Sequence, residues 1–462
     1  MGCPRLHTGS EALLWSDEAC VWSTNATEYR QLQLGAYLNE EGSGSAWPLY
    51  GLLVAYPLTS IAQQSCSGLV QRMLSRQAFL RAAVVDAFSL LPMMLVFGSC
   101  SFRAFALFGP QLLALWRRPS QSSAQSEERL FSESEGRLRF LAEYRAFVMI
   151  STCIVILAVD FAAVYPREHA KTETFGYALM DLGTGCIVVA TAVSVRSTNA
   201  LSVVSVLRKL WPVLALGALR GALLWQLDYH VPVSEYGVHW NFFFTVAIVA
   251  LVSSLLQLTA MQSVLAGSSL AMAYQLFLSM GGNDFLLLAP RLTLFSANRE
   301  GILGCLGYLS LHWLGTGLGS LLRDRSASAR LTVLRLLAIS FSGGFSTYLL
   351  SLAGIAVSRR LCNLPYVLHI LSLNAWVLAW LALTDLAADR PRPPLSLTLA
   401  AVSESMLAVF LFANLLTGVV NLTLQPLLLP QSPAFLALAC YYLSWSVPCA
   451  LLRSKGRKLK CW

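Results

Sequence analysis

The chain alternates between long apolar stretches and short polar connections. Apolar runs fall near 47–65, 77–97, 101–117, 144–165, 175–195, 209–227, 240–260, 262–279, 302–320, 330–356, 365–386, 398–424 and 433–452. Most approach the roughly 20 residues that a helix needs to cross the hydrocarbon core of a bilayer. The pattern predicts an all-α, polytopic integral membrane protein with about 13 transmembrane helices. Residues 1–46 read as a polar N-terminal segment, 47–452 as a single transmembrane helical domain, and 453–462 as a basic tail. The longest soluble connection is the Ser-, Glu- and Arg-rich stretch 118–143.

Composition sharpens this picture. Of 462 residues, 56% are hydrophobic and 12% charged. Soluble domains are about 45–50% apolar and about 25% charged. So little polar surface excludes a disordered, collagenous or disulfide-stapled chain and argues against a cytosolic enzyme. The net charge of +9 sits in short connections rather than in one stripe. It therefore bears on topology, not on nucleic-acid binding. With the N-terminus lumenal, 23 of the 33 Lys and Arg fall on the cytosolic side and nine on the lumenal side, with Arg220 inside a span. That bias predicts a cytosolic C-terminus. An odd number of spans also separates the sequon Asn25-Ala26-Thr27 from the basic tail. The first 45 residues lack an apolar core after a basic start, so no cleavable signal peptide is expected. The eleven cysteines contain no C-x-x-C pair, and Cys153, Cys186, Cys305, Cys440 and Cys449 read as small buried hydrophobes.

Given that sidedness, the unusual polar clusters gather on the lumenal face. They are the run from Asp160 to Gly176, Asp181, the run Ser234–Phe243, Ser296–Gly301, Ser358–Tyr366, and Asn414 with Asn421. Six noncontiguous segments meeting at one face is how a helical bundle builds a site. An ionisable side chain inside a span costs about 2.5–3.5 kcal/mol on insertion scales, so Asp160 and Asp181 need partners or a wet cavity. Pro166 interrupts any helix between Asp160 and Lys171, which lets the chain fold back and bring the two together. An acid and an amine so placed suit proton transfer, or a structural ion pair. His239 and Asn241 open a span from the lumenal side. Arg359 and Arg360 are either snorkelling side chains or phosphate ligands, against the positive-inside trend. Gly315-Thr316-Gly317-Leu318-Gly319 lacks the Lys-Ser/Thr of a phosphate loop and reads as a helix-packing surface. No metal-ligand spacing is present.

Four strings then carry a resemblance. AVDF…PREHAKTETFGYALMDLG, SEYGVHWNFFFT, SRRLCNLPYVLHILSLNAW and LFANLLTGVVNLT stand in this order between about residues 140 and 425. They resemble the GPI-anchored wall transfer protein/phosphatidylinositol-glycan class W family. The resemblance implies a multi-pass enzyme of the endoplasmic reticulum membrane with thirteen spans and a lumenal N-terminus. It implies an O-acyltransferase of the GPI-anchor biosynthesis route, moving a long-chain, palmitoyl-like acyl group from acyl-CoA to the inositol ring of glucosaminyl-phosphatidylinositol. Acyl-CoA is then a co-substrate, with no permanently bound cofactor, and no obligate protein partner or nucleic acid is expected. By the same resemblance Asp160 and Lys171 are the catalytic pair. One departure is visible: the stretch between them is one residue longer than the family's, and Glu168 stands where the family reads closer to P-R-R-x-A-K.

The reaction needs a base for the hydroxyl proton, a donor for the oxyanion and a cavity for the acyl tail. Either member of the Asp160–Lys171 pair can be the base. His239 and Asn241 are expected at the inositol or the thioester carbonyl, and Glu235, Glu173, Asp181, Asn363, Asn414 and Asn421 are further expected substrate-binding residues. Arg167, Arg299, Arg359 and Arg360 are expected at the phosphates of lipid and CoA. The competing reading is a proton-coupled membrane transporter, for which buried Asp160, Asp181 and Asp228 would also serve.

Overall fold

The computed structural model describes residues 137–165, 169–195, 203–226, 233–386 and 395–457, with 45–61 and a few short pieces besides. The sequence-predicted spans 77–97 and 101–117, the segment Asp228–His230 and Arg167 lie outside these residues. Two-residue strand pairings apart, the described regular structure is helical. We number the main helices α1 (Trp47–Leu53), α2 (Arg139–Ala158), α3 (Leu179–Ala192), α4 (Val203–Gln226), α5 (Phe242–Leu256), α6 (Ala260–Phe277), α7 (Arg299–Arg323), α8 (Ala329–Leu352), α9 (Leu364–Leu386), α10 (Leu397–Glu404), α11 (Met406–Thr423) and α12 (Gln431–Ser454).

Among the described residues, six helical stretches are long and apolar enough to cross a membrane: α2, α6 with its continuation to Leu287, α8, α9, α11 and α12. Helices α3 and α5 are apolar but shorter. Helices α2 and α9 are hydrophobic on all sides and lie mostly inside the bundle. Helices α6, α8, α11 and α12 instead turn Leu265, Met272, Phe341, Phe345, Leu415 and Leu436 outward. A water-soluble protein would not present so many large apolar side chains, whereas lipid tails accept them.

Local chemistry sets the boundaries. Thr259 and Gln262 form a capping box at the start of α6, and Ser328 and Ser396 cap α8 and α10. The predicted span 398–424 is broken at Ser405 into α10 and α11. There Arg145 donates to the Ser403 carbonyl, and Glu404 pairs with Arg453 at 3.0 Å. The Arg145 contact takes up a carbonyl that an unbroken helix would have bonded. The glycine run packs as expected. A Cβ on Gly315 would meet Ala192, one on Gly319 would meet Val193, and one on Gly317 would meet Val264. Helix α7 thus sits close against α3 and α6. Cys153, Cys186, Cys305 and Cys449 are buried as anticipated, whereas Cys440 is exposed on α12.

Candidate functional site

Two loops and one helix connection build the site, and all three lean on neighbouring helix ends. Helix α2 ends at Ala158, and Asp160 lies in the turn just beyond it, anchored by the fully buried Phe161 and Tyr165. Helix α11 carries Asn414, Thr417 and Asn421 at spacings of three and four, which places them on one face. Thr417 reaches the Tyr441 hydroxyl of α12 at 3.3 Å. Asn421 donates to Asp160 Oδ2 at 3.0 Å, and Asn414 donates to its own helix at the Phe410 carbonyl.

The second cluster is a chain of opposite charges. Lys171 Nζ lies 2.9 Å from Glu235 Oε1. The same oxygen accepts from Arg359 Nη1 at 3.3 Å, and Arg359 Nε donates to Asp181 Oδ1 at 2.6 Å. Asp181 Oδ2 accepts both the backbone N–H and the hydroxyl of Thr172, at 3.1 and 2.7 Å. Asp181 stands in the first turn of α3, where the helix dipole favours an anion. Two acids and two bases cancel, which is what lets the group sit out of water. Only Lys171 keeps substantial access, with 22% of its side chain exposed against 9% or less for the other three. Burial by itself would raise the Glu235 carboxyl, but the Lys171 ammonium and the Arg359 guanidinium outweigh it and hold the group down to about 2. The Asp181 and Glu235 carboxylates in turn push the Arg359 guanidinium well up, against the opposing effect of burial.

Two glycines on α7 let these loops dock. The loop 233–240 lies so close to Gly301 that a Cβ there would sit 2.1 Å from Trp240 Cδ1, and the Gly301 N–H donates to the Tyr236 carbonyl. The loop 358–363 presses on Gly307, where a Cβ would sit 2.0 Å from the Cys362 carbonyl oxygen. The Arg359 loop is tied further by Ser358 donating to the Thr174 carbonyl and by Gly176 N–H donating to Val357.

Several expected residues are engaged by other protein groups. The sequence joined Lys171 to Asp160; the structure gives Lys171 the carboxylate of Glu235, and Asp160 the amide of Asn421. Arg359 turns its guanidinium to two protein carboxylates rather than outward. Asn241 caps α5 by accepting from Phe243 N–H and donates to the Gly217 carbonyl, so its amide is committed at both ends. Asn363 accepts from the Ser358 and Tyr366 N–H groups and donates to Ala356, closing the loop before α9. Buried Arg299 donates to the Leu286 and Pro290 carbonyls. Arg360 approaches Glu300 at 3.3 Å, on a carboxylate that Arg291 also grips. His239 and Glu173 are exposed, and the His239 backbone N–H donates to Asn298.

Sequence reading missed Thr172, Tyr366 and Arg291. Tyr366 donates from its hydroxyl to the Asp181 carbonyl at 2.8 Å, and Thr184 bonds both Tyr366 and Tyr308. Thr172 stood inside a string already singled out, but nothing in its spacing marked it. Arg291 lies in a plain loop and had no signal.

A bundle of apolar helices, lipid-facing on its outer members and closed at one end by buried ion pairs, defines a polytopic helical membrane protein. The GWT1 family model matches residues 32–452. The GPI-anchored wall transfer protein 1 of Yarrowia lipolytica is 34% identical over 368 residues, 73% of this chain and 77% of that protein. The phosphatidylinositol-glycan biosynthesis class W protein of Dictyostelium discoideum is 32% identical over 386 residues, 73% and 78% of the two chains. The GPI-anchored wall transfer protein 1 of Gibberella zeae is 35% identical, over 70% of this chain and 76% of its own. The chain belongs to the GWT1 family.

Proposed function

We propose that this protein is the inositol O-acyltransferase of GPI-anchor biosynthesis, working in the endoplasmic reticulum membrane with its site at the lumenal face. Its donor is a long-chain, palmitoyl-like acyl-CoA, and its acceptor is the inositol ring of glucosaminyl-phosphatidylinositol. The observation that carries this reading is the 2.9 Å pair of Glu235 with Lys171, which lies on the same α2–α3 connection that bears Asp160. A lysine held against a carboxylate favours its cationic form. We therefore assign Lys171 as the electrostatic partner and Asp160 as the general base.

In this scheme the inositol hydroxyl oxygen attacks the thioester carbonyl carbon while Asp160 takes the hydroxyl proton. The Lys171 ammonium stabilises the oxyanion that forms. The carbon–sulfur bond then breaks, and the departing thiolate takes the proton from Asp160 to leave free CoA and the ester. Asn421 orients the Asp160 carboxylate through its 3.0 Å bond. The paired charges of Asp181, Arg359 and Glu235 hold the lysine in place from behind.

The test is acyl transfer from labelled acyl-CoA to glucosaminyl-phosphatidylinositol by the purified protein. Asp160→Asn and Lys171→Met should each lower turnover by about 100-fold or more. Near-normal turnover in either variant, in protein that remains folded, removes the assignment.

A further inference from the structure

A second charged cluster lies at the same end of the bundle, beside the start of α7. Buried Glu300 stands in the first turn of that helix. Arg291 donates to both of its carboxylate oxygens, Arg360 Nη2 donates to Oε1 at 3.3 Å, and Arg299 Nε lies 3.9 Å from that same oxygen. Three guanidiniums thus share one carboxylate, and among the described residues no other acidic side chain pairs with them. The four charges around Lys171 cancel; these do not. The positive end of the α7 dipole adds to the surplus. Burial, and then the Arg291 and Arg360 guanidiniums, press the Arg299 guanidinium below its ordinary value, with Glu300 opposing them. Arg299 is committed to the Leu286 and Pro290 carbonyls, and Arg359 to Asp181 and Glu235. Arg360 is different. Its side chain is only 9% exposed, it makes the one hydrogen bond to Glu300, and its Nε is buried with no acceptor among the described residues. A buried donor without an acceptor, on a cation whose only counterion is shared three ways, is unfavourable.

The connection from α6 to α7 shows which anion fits. It wraps these arginines, since Arg291 donates to the Ala297 carbonyl and Arg299 to those of Leu286 and Pro290. Along it Leu288, Leu292 and Leu294 turn outward, Leu292 with 84% of its surface exposed, and Arg291 keeps 24% of its side chain exposed. In a membrane protein such leucines insert among acyl chains, and an arginine beside them lies at the depth of the lipid phosphates. The planar guanidinium fork matches the two free oxygens of a phosphodiester. We propose that Arg360 and Arg291 bind the phosphodiester of a membrane lipid headgroup. Its free oxygens accept from the N–H groups that Glu300 leaves unused. Two lipids carry this group at that place: the glycolipid acceptor, and a phospholipid of the surrounding leaflet. The cluster is close to the Lys171 network along both of its loops. Arg360 follows Arg359, and Tyr236, which follows Glu235, accepts from the N–H of Gly301, which follows Glu300. The site goes beyond the acyl-transfer reading and stands without it.

The test measures binding apart from turnover. Full-length protein in a maltoside detergent, which brings no phosphate, is titrated with dioctanoyl phosphatidylinositol and dioctanoyl phosphatidylglycerol. Dioctanoylglycerol is the phosphate-free control. Both phospholipids should bind, and the control should not. Arg360→Gln should weaken both phospholipids by about tenfold or more. Its lipid-free thermal midpoint should hold or rise, because Glu300 keeps Arg291 and a surplus cation is gone. The glycolipid KM in the acyl-transfer assay then identifies the source. A higher KM in Arg360→Gln places the acceptor's own diester in the site, and an unmoved KM places a resident phospholipid there. Equal binding of dioctanoylglycerol and the phospholipids by wild-type protein overturns the inference without any variant. So does unchanged phospholipid affinity in folded Arg360→Gln, or an effect confined to the KM for acyl-CoA. Phospholipid binding by wild-type protein that transfers no acyl group would instead overturn the acyltransferase reading and leave the lipid site standing.

Discussion

Glu235 is the residue whose replacement best separates the roles assigned to its neighbours. Its carboxylate touches Lys171 at 2.9 Å and Arg359 at 3.3 Å, and both cations hold it down from 4.5 to about 2. At about 1.4 kcal/mol per pKa unit, this favours the charged form by about 3 kcal/mol. Breaking a buried pair from one side costs a similar amount, about 3–5 kcal/mol. Glu235→Gln should therefore destabilise the protein by about 3 kcal/mol and also change the chemistry. An opposite charge at this range favours a lysine's charged form, and removing it favours the neutral form. If Lys171 acts as a cation, the alkaline limb of the turnover–pH profile should move to lower pH. The assay is acyl transfer across pH 6–10 with wild-type and variant protein at saturating substrates. An alkaline limb that stays put or moves upward, in folded protein, would refute the cationic role of Lys171.

Acid stability should follow the same carboxylate. A depressed pKa contributes stability that is complete above about pH 4.5 and lost as pH falls toward 2, so thermal midpoints at pH 5 and pH 3 should differ less in Glu235→Gln than in wild type. Gly301→Ala should destabilise by about 1–3 kcal/mol, since its Cβ would meet Trp240 at 2.1 Å and the Tyr236 carbonyl at 2.6 Å. Denaturation of detergent-solubilised protein measures this, and wild-type stability would show that the loop 233–240 does not rest on α7 as described. Asn421→Ala removes one hydrogen bond to a charged group, about 1.5–3 kcal/mol, so kcat should fall about tenfold or more with little change in KM for either substrate. A change in KM alone would place Asn421 in binding instead of in orienting Asp160.

The hydrophobic pattern by itself determined the class of this protein, because a bilayer permits only one arrangement for so many apolar segments of about 20 residues. Among the described residues it also located most of the helices within a few residues, though not the break at Ser405, together with the packing role of Gly315–Gly319 and the segments that meet at one face. Asp160 and Asp181 were legible as ionisable residues inside spans, and Lys171, Glu235, Arg359 and Asn421 as members of polar clusters gathered at one face. Their partners were not. Lys171 and Glu235 are 64 residues apart, and Arg359 and Asp181 are 178 apart. Such pairings depend on how helix ends align after packing, and no periodicity along the chain encodes that alignment. Only the tertiary structure could show Lys171 held by a carboxylate other than Asp160, Asn241 and Asn363 committed to backbone groups, and the loops of Glu235 and Arg359 resting on Gly301 and Gly307. The physical reason is the same in each case. Burial is a local property that composition and spacing foretell, while the choice among buried partners is decided by distance, and distance between remote segments exists only once the bundle has closed.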